Sequence, residues 1–205
     1  MEDDMKAVAM AELQKLNVQT ASIKIKGLSP LIMHRWDEKA KQQMLDKQMK
    51  KTVRKGAKDP KAQYESSIYK LDDGRLGFPS DAFKAAMVRG ADLLGGKTIG
   101  MAMNRMRMGF FVRGEYGTKD DRDLVPLKGK LSMREDMVRL NGKTSDIRYR
   151  GQVQNWTAEI TISYNASVVS FDQLANMLNV AGYGVGVGEW RPDKNGMFGR
   201  FEVVV

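Results

Sequence analysis

The sequence predicts an α+β fold of the ferredoxin-like or RNA-recognition type, with a β-sheet palm, helices on one face and an inserted basic arm. Three observations lead there. Apolar periodicity switches between about two and about 3.6 residues in the order strand, helix, hairpin, helix, excursion, strand, helix, strand. Apolar side chains make up 42% of the 205 residues, enough for one ordinary core. No internal repeat or low-complexity linker divides the chain, so 1–205 reads as one domain.

The elements follow in order. Met5, Val8, Met10, Leu13 and Leu16 recur at helical spacing and predict an N-terminal helix within 1–17, with acids at its positive end. Ser22 to Lys26 alternates as a half-buried strand and stops at Gly27-Leu28-Ser29-Pro30. Asp37 can cap a helix over 37–55 carrying a thin stripe of Met44, Leu45, Met49 and Val53, and Gly56 to Pro60 is a loop. Ser67–Leu71 and Arg75–Phe78 flank the turn Asp72-Asp73-Gly74 as a hairpin, and Pro79-Ser80-Asp81 opens a helix to about Leu94, stopped by Gly95-Gly96. Residues 97–155 look irregular, with short strands near Phe110, Leu124 and Met137 and a turn at Asn141-Gly142. They are assigned to the inserted arm or thumb, and 20–96 with 156–205 to the palm. Trp156 to Ser163 alternates as a strand, Ser170 caps a helix through Val180, a glycine-rich loop spans Gly182 to Gly188, and Gly199 to Val205 is the last strand.

Composition narrows the function. Lys and Arg number 34 against 25 Asp and Glu, a net charge of +9, which favours an anionic partner. Cys is absent, which excludes disulfides, thiolate metal sites and cysteine nucleophiles, and a single His excludes a multi-histidine metal site within one chain. No apolar run approaches the ~18 residues of a membrane helix, and the acidic start lacks a secretion-signal pattern. The expectation is a cytoplasmic protein with no cofactor, no metal and no membrane contact.

Several constellations bear on chemistry. His34, in Met33-His34-Arg35-Trp36, could act as a general acid or base, with Arg35 on a phosphoryl group; the competing reading is a histidine packed on Trp36 or contacting a phosphate. Ala91 to Thr98 matches a permissive phosphate-loop pattern but ends a helix rather than opening one, so it is a helix stop. Gly182 to Gly188 has glycine at every second position, which lets backbone approach closely, and Glu189-Trp190-Arg191 sets an aromatic plane and a guanidinium beside it. Basic residues concentrate in the 39–55 helix, in Lys97 to Arg113 without an acid, and around Arg139, Lys143, Arg148, Tyr149 and Arg150. Met101, Met103, Met106 and Met108 alternate with small or basic residues, as in an extended arm with an apolar and a cationic side, the alternative being a methionine-rich core. Asp72-Asp73, Asp120-Asp121-Asp123 and Glu135-Asp136 are solvated turns and loops, with Mg²⁺ binding the lesser reading.

Leu76-Gly77-Phe78-Pro79-Ser80-Asp81-Ala82-Phe83-Lys84-Ala85-Ala86 resembles a segment of the repeat-associated mysterious proteins, the RAMP superfamily that supplies RNA-binding subunits of CRISPR effector complexes. The glycine loop at 182–188 is similar to that family's loop between the last helix and last strand, and the element order matches. The whole also resembles small basic proteins carried by bacteriophages. The resemblance implies a backbone subunit, with a palm, an inserted basic segment and an arm reaching the next protomer.

The expected function is a non-enzymatic protein that coats single-stranded RNA or DNA as a side-by-side homo-oligomer, with other effector-complex subunits as further partners. Its expected contacts are Arg35, Trp36, Lys84, Arg89, Lys97, Arg105, Arg107, Arg113, Arg148, Tyr149, Arg150, Gly184, Gly186, Gly188, Trp190 and Arg191. The alternatives are a metal-independent endoribonuclease of the CRISPR RNA-processing type using His34, and a phage structural or inhibitor protein without a nucleic-acid role.

Overall fold

A computed structural model describes residues 14–36, 38–51, 58–95, 103–140 and 144–204. The elements are β1 (Val18–Gly27), β2 (Leu31–Ile32), α1 (Glu38–Gln48), α2 (Pro60–Ser66), β3 (Gly77–Pro79), α3 (Ser80–Leu93), α4 (Met103–Gly109), β4 (Phe110–Arg113), β5 (Glu115–Gly117), β6 (Arg122–Leu140), β7 (Thr144–Asn165), α5 (Phe171–Val180) and β8 (Phe201–Val203).

The sheet runs β3-β6-β7-β1-β8 and is antiparallel throughout. Its heart, β8-β1-β7-β6, has α3 between β1 and β6 in sequence and α5 between β7 and β8. That is the ferredoxin-like βαββαβ arrangement, in which β7 is threaded between the two strands joined through α3. The second strand position is shared. β4 pairs with β7 opposite residues 161–164, the chain leaves through β5, and β6 returns to pair opposite 144–158. One residue is extra on β7. Lys128 faces Thr157 while Lys130 faces Gln154, so Asn155 and Trp156 together oppose Gly129, and Asn155 takes φ 49° to form this bulge.

Alternation along β1, β4 and β7 sends Ile23, Ile25, Phe110, Ile160 and Ile162 to one face. There α3 contributes Phe83 and Met87, and α5 contributes Leu174, Met177 and Leu178, all buried. Ser170 caps α5 in a reciprocal capping box with Gln173, the signal that places this helix correctly in the sequence. Tyr69, Phe78, Phe83, Phe201 and Trp156 form a file of edge-to-face rings with centroids 5.7 to 6.2 Å apart. Trp156 is fully buried and donates from Nε1 to the Ser29 carbonyl at 2.8 Å. It lies flat on Gly27, where a Cβ would stand 2.2 Å from Nε1, so only glycine admits the indole there.

Several expectations are revised. The helix expected within 1–17 lies mostly outside the described residues, and 14–17 are not helical. The Asp37 cap, the 52–57 segment, Gly96 to Ala102 and the Asn141-Gly142 turn also lie outside. A helix not expected, α2, starts at Pro60, with Asp59 accepting from the amides of Lys61 and Ala62. The 67–78 hairpin shrinks to a single bridge, Lys70 with Leu76, because β3 pairs with β6 instead. The Met-rich stretch is not an extended arm. Residues 103–109 are helical, and Met106 is buried against the core while Met108 is 70% exposed. Helical rotation, not alternation, sends Met106 inward and Met108 outward. Much of the irregular middle is the long β6–β7 hairpin, whose mixed polar and apolar residues suit a ribbon with two exposed faces.

Met106→Ala therefore lowers the unfolding free energy by about 2–5 kcal/mol, whereas Met108→Ala changes it by less than ~0.5 kcal/mol, as read by urea denaturation.

Candidate nucleic-acid interface

The sheet face away from α3 and α5 is open. Alternation places Ser22, Lys24 and Lys26 of β1, Thr157, Glu159 and Thr161 of β7, Phe111 and Arg113 of β4, and Lys128 and Lys130 of β6 on it. Lys24, Lys26, Lys128, Lys130 and Arg113 are exposed, and none has a carboxylate partner in an ion pair among the described residues. Glu159 stands across from Lys24, and Glu202 across from Lys26. Phe111 is 57% exposed at one end of this face, with the Lys84 ammonium 4.0 Å from its ring centroid. Partial burial lowers the Lys84 pKa below the usual lysine value.

Past the bulge, the same face carries Arg134 with Arg150, and Asp136 with Arg148, as cross-strand pairs. Here the chain after α5 folds over the sheet. One turn of π-helix, Ala181–Val185, extends α5, and Gly186 and Gly188 then take φ 69° and 84°. A Cβ on Gly188 would stand 2.6 Å from the Ile32 carbonyl, so this glycine lets the loop run against β2. Glu189 donates its amide to that carbonyl at 3.0 Å. Its carboxylate meets His34 Nδ1 at 2.5 Å and Arg150 at 3.6 Å. The hydrogen bond from His34 holds the Glu189 carboxyl below the usual carboxylate value; burial opposes this, and the Arg150 charge reinforces it.

Trp190 takes φ 48°, a left-handed conformation unusual for a bulky residue, and covers the Arg150 guanidinium at 4.5 Å. Arg134 lies 4.6 Å from the Phe198 ring and donates to Gln152 Oε1 at 3.0 Å and to Asp136. Arg150 is 5% exposed, and its Nε and one terminal nitrogen have no hydrogen-bond partner. Burial lowers its pKa below the ordinary guanidinium value.

The expected contact residues separate in space. Arg150, Trp190, Arg191 and Gly188 gather with His34 around Glu189, and Arg148 follows on the same face of β7, 3.8 Å from Asp146. Tyr149 alternates to the other face of β7 and pairs across with Glu135. Arg35 turns inward to a buried ion pair with Asp120, whose second oxygen is unpartnered. Arg89 pairs with Asp193, which also receives Arg191 at 3.2 Å. Trp36 is exposed ahead of α1, Arg105 and Arg107 are exposed on α4, and Gly184 lies against Leu93. Lys97 is outside the described residues. Reading runs of charge overlooked Lys24, Lys26, Lys128 and Lys130; the signal available was their alternation with apolar neighbours in β1 and β6. Among the described residues no cluster of acidic or histidine side chains could hold a metal ion, and no helix is long and apolar enough to cross a membrane.

Fold and surface together define the class: a ferredoxin-like α+β protein with a cationic open sheet face. No protein-family model matches the sequence. None of the curated proteins matches it significantly. Among solved structures, the chain is similar to the crystal structure of Cmr6 from Pyrococcus furiosus, with 10% identity over 93% of this chain and 100% of that one and a TM-score of 0.44. It is also similar to a chain in the cryo-EM structure of the type III-B Cmr-beta bound to cognate target RNA, with 11% identity over 90% of this chain and 59% of that one and a TM-score of 0.45.

Glu189 carries a pH prediction. Its lowered carboxyl contributes stability that is fully present above its ordinary value of 4.5 and is lost as pH falls through the lowered one. The melting temperature of the intact protein therefore drops steeply below about pH 4.5, and Glu189→Gln flattens that limb while reducing stability at pH 7. An acid limb unchanged in Glu189→Gln would show that the pair with His34 is not formed in solution.

Proposed function

We propose that this protein binds single-stranded nucleic acid, RNA in the first place, along the open face of its sheet without cleaving it. The observation that carries the reading is the row Lys24, Lys26, Arg113, Lys128 and Lys130, exposed and without a carboxylate ion pair among the described residues. A face about four strands wide, ~4.8 Å apart, suits a flexible backbone better than a rigid duplex, and among the described residues no recognition helix projects from it. Phe111 at one end supplies a stacking surface. Coating by side-by-side copies is part of the proposal. Met133, Met137 and Ile147 lie on the other face of the β6–β7 hairpin, 52%, 70% and 46% exposed, and offer an apolar contact for a neighbour.

One observation favours a second reading. The Glu189 carboxylate at His34 Nδ1 can orient the imidazole and leave Nε2 for a substrate, the arrangement of a general acid or base. Incubating labelled RNA with and without Mg²⁺ separates the two. The binding reading expects intact RNA; discrete products lost in His34→Ala would establish the endoribonuclease.

Binding falls with salt. Lys26→Ala with Lys130→Ala reduces the slope of log affinity against log salt by about 1.4, roughly 0.7 per single-strand phosphate contact. Fluorescence anisotropy with a labelled oligouridine measures it, and equal affinity for blunt duplex at moderate salt contradicts the open-face reading.

A further inference from the structure

The open face is not uniform. A cleft of about 720 Å³ lies where β4 ends and β6 begins. Its origin is the shared strand position. Arg113 faces Thr161 and Leu127 faces Ala158, so no strand residue stands opposite Glu159 or Ile160 on that edge. Successive strand residues alternate the direction of their backbone groups, so one of these two presents its N–H and C=O into the gap. Pro126 on the β6 side and Val204 on the β8 side are apolar lining residues, and the strand backbone at Ile25 and Ala158 lies between them. Thr157 and Thr161 also line the cleft.

The charges around it are unequal. Lys24, Arg113 and Lys128 line the rim without a carboxylate ion pair among the described residues. Glu115 is already held by Arg75 through two hydrogen bonds, at 3.1 and 2.5 Å. Glu159 is therefore the carboxylate left to meet a ligand. The site combines apolar lining residues, strand backbone groups directed into the gap, one hydrogen-bond-accepting acid and a surplus of cations. An anion alone would leave the apolar lining and Glu159 unused; an apolar molecule alone would bury the cations without a partner.

We propose that this cleft seats one nucleotide unit, its base against Pro126 with an amino edge donating to Glu159, and its phosphate on Arg113 and Lys128. The proposal rests on the single-strand reading above and sharpens it: one nucleotide per protomer leaves the stack and enters the sheet. The unit can come from a bound strand or from a free mononucleotide, and the shared chemistry is a base joined to a phosphate.

The test uses the whole chain and two probes. Free AMP, GMP, CMP, UMP and inorganic phosphate are titrated while the methyl resonances of Thr157, Thr161 and Val204 are followed by NMR. A single-stranded oligonucleotide with one 2-aminopurine reports unstacking by fluorescence. The expected result is methyl shifts with mononucleotides that phosphate does not reproduce, or a several-fold rise in 2-aminopurine fluorescence on binding. Either signal falls about tenfold or more in Arg113→Ala with Lys128→Ala, and Glu159→Gln changes which base is preferred. The first signal without the second assigns the cleft to free nucleotides; the second without the first assigns it to the strand. Phosphate reproducing the shifts in full, or neither signal appearing, overturns the proposal. Salt-dependent oligonucleotide binding without either signal sinks the cleft and leaves the open face standing. Methyl shifts without oligonucleotide binding do the reverse. A melting curve of each variant within a few degrees of the parent confirms that the fold is retained.

Discussion

The pairing of β7 is the constraint on which the rest depends. Its 22 residues bond to β1 and β2 along one edge and to β4 and β6 along the other. No other strand among the described residues touches so many partners. Its inward residues, Trp156, Ile160 and Ile162, hold the core against α3 and α5, while its outward residues, Thr157, Glu159 and Thr161, are the centre of the open face. A shift of one residue along it would exchange these two sets, so register is protected by the full hydrophobic energy of the core.

The glycine-rich segment after α5 does different work from that of a loop lying open to a ligand. Gly182 packs against the Phe201 carbonyl, and Gly188 against Ile32, so the segment is drawn tightly over the palm. That closeness places Glu189 between His34 and Arg150 and sets the Trp190 ring on the guanidinium. The strained backbone of Trp190 and the unpartnered nitrogens of Arg150 are two departures from ordinary packing within one small region.

Much of the fold was legible in the sequence because its signals are local. The Ser170 cap, the α3 pattern after Pro79 and the alternation in β1 and around Trp156 each depend on neighbours a few residues apart. The long hairpin was not, because β6 and β7 beyond the bulge are half-exposed ribbons whose apolar residues stabilise no single core. Met106 was misassigned for a related reason: methionines spaced two or three residues apart between small and basic residues suit a strand as well as a helix, and tertiary contact chose the helix over 103–109. The site divides in the same way. Arg148, Arg150, Trp190 and Arg191 were visible as residue types, but the meeting of His34 with Glu189 spans 155 positions and follows from topology alone. The open-face lysines were hidden because each stands apart in its own strand and only sheet pairing collects them.

The bulge at Asn155 has a consequence for how this chain tolerates change in length. Before it, the even-numbered residues Arg148, Arg150 and Gln152 look toward the open side; after it, the odd-numbered Thr157, Glu159 and Thr161 do. The one supernumerary residue works as a parity switch between two halves of a strand. Loss of that single codon would leave each half locally intact as a sequence yet turn one over relative to the other, sending guanidinium groups toward the helices and Ile147 and Tyr149 toward solvent on the far side. Relatives of this chain are thus free to exchange side chains on the hairpin far more readily than to lengthen or shorten it by one, whereas changes by two preserve the phase.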